Sequence, residues 1–441
     1  MKPIVSIVRY KDVTSVANAI QLCDGFKTLK ASHKVLLKPN ICTAGAGFIP
    51  PYGNVTTTKV VEGTIRALKD FGVSDITIGE GTVTDELGTN TMKGYKWIQL
   101  DRLAKRYGLK LRDFNAGPHR KVRIEKVLMN IAEAALDTDF FINLPVLKTH
   151  CDARVSLANK NLKGCLSVMS KRYFHMHGPA GVVNYHISRL MEAVPQHLVI
   201  IDGIYAMERG PDASIGTAHP WGILVASTDS LAADAVGALL LGAEPTEVEY
   251  LKLYAERHGR MDVMEDRESI EIRGERIEDH AKYLPWESTP LMDMKTSGHK
   301  GIEVHWISNS VCTGCYANSQ VPGLFMAALS RNQDFNDLLL VVGRNWKEER
   351  NSAQTLLYGN CAVHGNKHLD KAAKFEGCPP KFWDSCFMLT RKIPSLSAKL
   401  AFYVRMVMYF ARASMGIGVL PLPRFKIYKN NPDYKIEHFR A

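Results

Sequence analysis

Residues 139–150 read DFFINLPVLKTH. A short apolar run bounded by Pro145 and closed by Lys148, Thr149 and His150 reads as a strand buried on both faces. Working outward, the same pattern recurs. VLLK (35–38) stops at Pro39, SDITIGEG (74–81) ends in a glycine turn, and LKLRDF (109–114), HLVIIDG (197–203) and WGILVAS (221–227) follow. Helical spacing lies between these runs. Residues 57–71 stop at Gly72, and 96–107 stop at Gly108. STDSLAADAVGALLLG (227–242) opens with capping residues and closes at Gly242. Strands alternating with helices mean βαβ units, so the fold class is α/β with a mainly parallel sheet.

Polar residues gather where these strands end. Lys38, Asn40, Glu80, Lys148, His150 and Asp202 follow apolar runs, and Lys160, Asn161 and Lys163 stand in NKNLKG (159–164). In an open parallel sheet the carboxyl ends share one crevice. Its lysines make it positive, so a small anionic substrate carrying phosphate or carboxylate is expected. Lys148 and His150 are the candidate catalytic pair, binding an anion and moving a proton. Lys38, Asn40, Glu80, Lys160, Asn161, Lys163 and Asp202 are candidate substrate ligands. Gly79 and Gly81 would suit an anion-binding nest, and His175 with His177 a metal pair. A plain turn and a solvated loop are the competing readings. Asp229 and Asp234 fit helix capping and a buried hydrogen bond.

Charge and cysteine content divide the chain further. The 441 residues carry net charge +11, yet the segment from Lys381 to Ala441 holds eleven Lys or Arg against three acidic residues. The rest is nearly neutral, which argues against a nucleic-acid-binding fold. No secretory h-region follows the N-terminus, so a cytoplasmic protein is expected, with a peripheral membrane position left open. Nine cysteines without a signal peptide point to metal or catalytic use rather than disulfides. Cys312 and Cys315 form C-T-G-C, Cys361 lies in G-N-C-A and Cys378 in G-C-P-P. Four thiolates suit a [4Fe–4S] cluster and leave no open iron, which favours electron transfer. A zinc site or a redox dithiol are the alternatives. Cys386 is read as a core residue.

These three cysteine motifs, over roughly 308–388, resemble the proximal-cluster domain of nickel–iron hydrogenase small subunits. They are also similar to the complex I subunit that holds the cluster nearest the quinone. The resemblance implies a flavodoxin-like domain binding one [4Fe–4S], with a shorter spacing from Cys361 to Cys378. Complex I differs further in having adjacent cysteines, and nothing here supplies nickel. The ordered set LLKPN, INLPVLKTH, NKNLKG, IDGI and STDSLAADAVG, over about 30–280, resembles the domain-of-unknown-function family numbered 362. That resemblance implies the fold and an iron–sulfur association.

Three regions are therefore expected. Residues 1–300 form the α/β domain with a basic crevice, 301–390 a smaller cluster domain, and 391–441 a basic helical tail. Residues 396–411 are apolar but too short and too charged to span a bilayer. They would dock on protein or lie on a membrane surface. The expected function is an iron–sulfur oxidoreductase of anaerobic-style metabolism, taking electrons from a carrier such as a ferredoxin. A lyase or racemase with a structural cluster, and a non-catalytic carrier or assembly factor, are the alternatives. Homodimerisation is left open.

Overall fold

A computed structural model describes residues 2–42, 49–83, 90–176, 182–287, 291–307, 310–347, 354–414 and 422–441. Among these, ten strands make one large sheet. In chain order they are Ile4–Arg9 (β1), Val35–Pro39 (β2), Ile76–Glu80 (β3), Lys110–Asp113 (β4), Phe140–Leu144 (β5), Val146–His150 (β6), Arg154–Ser156 (β7), Leu198–Glu208 (β8), Thr217–Ser227 (β9) and Glu271–Gly274 (β10). The spatial order is β10-β1-β9-β8-β5-β2-β3-β4, with β6 beside β8 and β7 beside β6. Strands β8, β5, β2, β3 and β4 pair in parallel, whereas β9 is antiparallel to both β1 and β8.

The apolar runs form strands because both faces are covered. In β2, Val35 and Leu37 pack with Val60, Val61, Ile65 and Leu68 of the helix Thr58–Phe71 (α1). Leu36, between them, points to the opposite core with Phe114, Phe141 and Leu162. The α1 helix is capped by Thr57 and ends at Gly72, whose φ of 99° only glycine adopts easily.

Several expectations are amended. The stretch 96–107 is two helices, Thr91–Trp97 and Leu100–Tyr107, broken at Gln99 with φ 55°. Lys148 and His150 lie on a strand, β6, rather than in a loop beyond one. The short strand Glu271–Gly274 (β10) joins the large sheet beside β1.

Beyond residue 300 four parallel strands make the second sheet: Lys300–Trp306 (β11), Asp334–Val342 (β12), Gln354–Tyr358 (β13) and Ala373–Phe375 (β14). The α/β class holds. However, these strands follow one another in chain order, without the reversal that marks a flavodoxin sheet. The helix Thr313–Leu329 (α2) and the long helix Leu396–Ser414 (α3) pack beside it.

The end of the basic tail is not a free appendage. Residues 422–441 fold back on the large domain. Tyr434 donates its hydroxyl to the Ala218 carbonyl at 2.6 Å, and Tyr428 accepts from the Ala218 N–H at 2.9 Å. The Tyr434 ring lies 4.8 Å from Tyr428 and 5.1 Å from Tyr52. Arg424 pairs with Asp293 at 3.0 Å. Because this aromatic cluster is buried, Tyr434→Ala is expected to cost about 3 kcal/mol or more in urea unfolding. Ile436→Ala, at a half-exposed neighbour, should stay within about 0.5 kcal/mol.

Candidate functional site

The carboxyl ends of β2, β3, β5 and β6 bring the predicted residues together. Lys38 and Asn143 stand opposite each other in the β2–β5 register. The Lys38 ammonium donates to Glu80 Oε2 at 2.9 Å, to Asn161 Oδ1 at 3.1 Å and to its neighbour's carbonyl. Both partners of this ion pair are fully buried. Glu80 also accepts from the backbone N–H groups of Ile41 and Gly81. The Gly81 N–H thus serves the protein's own carboxylate, so the expected anion nest is already filled.

A second tier rests on the first. Asn40 donates to Asn161 Oδ1 at 3.0 Å and accepts from the Lys148 ammonium at 2.7 Å. Lys148 also donates to the Asn54 carbonyl. Asn161 donates to Asn143, which is itself held by the Ala158 carbonyl and Gln196. The one-turn helix Ala158–Asn161 and the turn Leu162–Cys165 carry Lys160, Asn161 and Lys163 into place. Asp234 anchors that helix by accepting the N–H groups of Ala158 and Asn159. Burial raises its pKa to about 7. Gly164 must be glycine, because a Cβ there would strike Glu80 Oε1 and come within 2.6 Å of Lys38 Nζ.

His150 is completely buried. Its Nδ1 accepts the N–H groups of Asp152 and Ala153, so the neutral ring carries its proton on Nε2. Nε2 has no partner among the described residues. Burial, and then the charges of Lys160, Lys163 and Lys148, push the His150 pKa well below 6.5. Lys160 is also buried, and its ammonium has no hydrogen-bond acceptor among the described residues. Burial pulls its pKa down to about 8, and Lys163 falls well below the usual lysine value for the same reason. Burial thus weakens the hold of these lysines on their protons, and His150 keeps one N–H to donate.

Two contributors escaped the sequence reading. Lys171 reaches the Gly81 carbonyl at 2.6 Å and Asn115 Oδ1 at 2.7 Å, from a helix that reads as ordinary surface. Cys42, half-buried, acts electrostatically on Lys148, Lys160 and Lys163. Its only signal was its place two residues after Asn40. Asp202 is directed elsewhere. Its carboxylate accepts the N–H groups of Thr57 and Ile204, tying β8 to the start of α1. Asp229 caps the helix Ser230–Leu240, as expected. His177 and the His175 side chain lie outside the described residues.

In the second domain Cys312 is the N-cap of α2, and Cys315 lies in its first turn. The Cys312 pKa falls to about 6. The hydrogen bond from the Cys315 thiol is the largest cause, and the N–H groups of Cys315 and Gly314 add to it. Cys361 opens the short helix Asn360–Gly365 after β13, and Arg344 Nη2 donates to its sulfur at 3.7 Å. All four thiols act on one another. The Cys315 pKa is raised by its hydrogen bond with Cys312, by burial, and by the charges of Cys312, Cys361 and Cys378. Among the described residues no three His, Cys, Asp or Glu groups stand close enough to hold a single metal ion. One zinc ion would need sulfurs within about 2.3 Å of a common point. Gly359 lets the backbone approach the Cys315 sulfur closely, since a Cβ there would lie 3.2 Å from it. An all-thiolate donor set of this kind is the chemistry that a [4Fe–4S] cluster would require. Cys386 is buried in the core, where burial raises its pKa.

The two sites adjoin. The Asp152 carboxylate acts on Lys160 and Lys163 on one side and on Cys312 on the other. Tyr316, one residue after Cys315, feels Cys151 and Asp152.

The Lys38–Glu80 pair lies at the base of both tiers. Lys38→Met alone is expected to cost about 3–5 kcal/mol by stranding a buried carboxylate. Lys38→Met with Glu80→Gln should cost less than the two single changes together, as a double-mutant cycle in urea would show.

Comparisons with known proteins bear on the first site. Thylakoid-associated protein sll1697 of Synechocystis sp. is 27% identical over 222 residues, 50% of this chain. The chain spans 66% of that relative's length. Among solved structures, the lactate racemase apoprotein from Thermoanaerobacterium thermosaccharolyticum is similar at a TM-score of 0.36 and 12% identity. That match covers 78% of this chain and 69% of the other. Residues 35–239, which include β2, β3, β5, β6 and the lysine-bearing turn, match the family described as domain of unknown function (DUF362), so this part of the chain is a DUF362 domain.

Proposed function

We propose that this chain is an iron–sulfur oxidoreductase acting on an anion held among Lys148, His150, Lys160 and Lys163. A [4Fe–4S] cluster held by Cys312, Cys315, Cys361 and Cys378 would supply single electrons, drawn from a carrier such as a ferredoxin. The observation that supports this reading most is that the Asp152 carboxylate lies within electrostatic range of both Lys160 and Cys312. An anion bound among the lysines would then sit on the side of the crevice that faces the cysteine loop.

The chain's own residues suit that task. Lys148 is fixed by Asn40 and Asn54 and supplies a positioned charge. Lys160 is charged at neutral pH, and with no acceptor of its own it can accept an anion as counter-ion. The His150 Nε2–H can donate a hydrogen bond to the same ligand, while Lys160, whose pKa is pulled to about 8, is the group able to give up a proton. Burial excludes water and strengthens each of these contacts.

A second reading is favoured by His150 and Lys160 themselves. An amine of pKa about 8, beside a neutral Nε2–H that donates a hydrogen bond, can give and take a proton, which a lyase or racemase could use with a structural cluster.

Two measurements separate these. The chain purified without oxygen is expected to hold about four irons and four sulfides and to give an EPR signal on reduction. Cys378→Ala should lose most of that iron. Fewer than about three irons per chain would defeat the cluster reading. If the anion is transformed equally well by Cys378→Ala, the non-redox reading stands instead.

The anion site has its own test. Lys160 loses its proton as pH rises through about 8, so its attraction is full below that value and fades above it. Sulfate, whose charge is constant over this range, should therefore bind more weakly in calorimetry at pH 9 than at pH 7. Lys160→Met should bind sulfate about tenfold less and flatten that dependence. It should leave the unliganded chain no less stable, because an uncompensated buried charge is removed.

A further inference from the structure

The helix Leu396–Ser414 turns two opposite faces to its surroundings. Phe402 and Tyr409 are buried, and Tyr409 packs against Phe325 of α2. Leu396, Leu400, Val404, Val407 and Met408 are 81%, 65%, 51%, 67% and 60% exposed. At about 100° per residue, Leu396, Leu400, Val404 and Val407 span an arc of about 80°, with Phe402 and Tyr409 on the far side. Phe387, also exposed, stands at the side of this stripe, 6.4 Å from the Tyr403 ring. Large apolar residues on a solvated face in an unbroken row need a partner.

The charges say which partner. On the same wheel Lys399 falls on one flank of the stripe, while Arg405 lies toward the buried face and donates to the Leu329 carbonyl at 3.0 Å. No acidic residue occurs between Asp384 and Asp433, while Arg391, Lys392, Lys399, Arg405 and Arg412 all do. A second copy of the chain would bring this face against itself about a twofold axis. Cations would then meet cations, with no carboxylate on the helix to receive them. A lipid surface has no such conflict. Apolar side chains enter the boundary between headgroups and acyl chains, and flanking Lys and Arg reach up to anionic headgroups. No helix among the described residues is long and apolar enough to cross a membrane.

We infer that Leu396–Ser414 is an interfacial helix that lays this apolar stripe in the surface of an anionic lipid bilayer. At about 1.5 Å per residue it offers some 28 Å of contact along the membrane plane. Phe402 and Tyr409 fix it to the cluster domain, so the whole chain would be held at the surface.

The test is flotation of the full chain, purified without oxygen, with two kinds of vesicle. One is phosphatidylcholine alone, and the other contains added phosphatidylglycerol. The chain should float with the second, and its release should increase with salt as screening shortens from about 10 Å at 0.1 M to about 3 Å at 1 M. Leu400→Gln/Val404→Gln/Val407→Gln changes only exposed positions, and should float about tenfold less at unchanged iron content and thermal midpoint. Should that variant fold poorly, Lys399→Glu is the alternative, with a several-fold loss on the anionic vesicles only. Wild-type chain that stays unbound on anionic vesicles, or a folded triple variant that floats equally well, overturns the inference. So does a wild-type dimer that ignores vesicles and becomes monomeric in the triple variant, which would assign the face to a second copy.

Discussion

A buried ammonium must find a counter-charge or give up its proton, and this constraint organises the large domain. Lys38 is neutralised internally by Glu80. Lys148 and Lys171 are satisfied by neutral oxygens of Asn40, Asn54, Gly81 and Asn115, so their charges are solvated but not cancelled. Lys160 has neither acceptor nor paired carboxylate among the described residues, and burial pulls its pKa to about 8. The lysines thus range from paired, to hydrogen-bonded, to unmet. An arrangement of this kind costs stability, which a bound anion would relieve.

The scaffolding around those cations is equally specific. Asp234 and Asp202 are both buried carboxylates, and neither faces the lysines. Each accepts two backbone N–H groups: Asp234 both at the start of Ala158–Asn161, and Asp202 one from Thr57 at the start of Thr58–Phe71 and one from Ile204 within β8. Burial raises the two to about 7 and about 6. Their work is to position elements, and keeping them away from the ammonium groups preserves the positive field of the site.

The second domain adds four mutually acting thiols, placed by the start of α2, the end of β13 and the segment before Pro379. Its strand order is sequential and unreversed, without a flavodoxin-type switch point. The long helix behind it has one face committed to that domain and one face left to solvent, with Lys399 on one flank.

The sequence by itself determined the α/β class, most strand positions and the identity of the polar residues at strand ends. The reason is local. Doubly buried strands must be apolar throughout, and capping residues and glycine stops mark helix ends without reference to anything distant. The cysteines were legible in the same way, through glycine and proline beside them. What only the tertiary structure decided was the use of each polar group. Lys38 and Lys160 look alike in the chain, yet one is paired and the other is not. Asp202 comes at the end of an apolar run as Glu80 does, yet it lies within β8 and points at a helix start. Lys171 carried no local mark, and Cys42 only its place two residues after Asn40. A side chain's partner is set by residues often more than a hundred positions away, such as Asn161 for Lys38 and Asn40 for Lys148. Electrostatic function depends on that distance in space and on the loss of water around it, neither of which is a property of a short stretch of sequence.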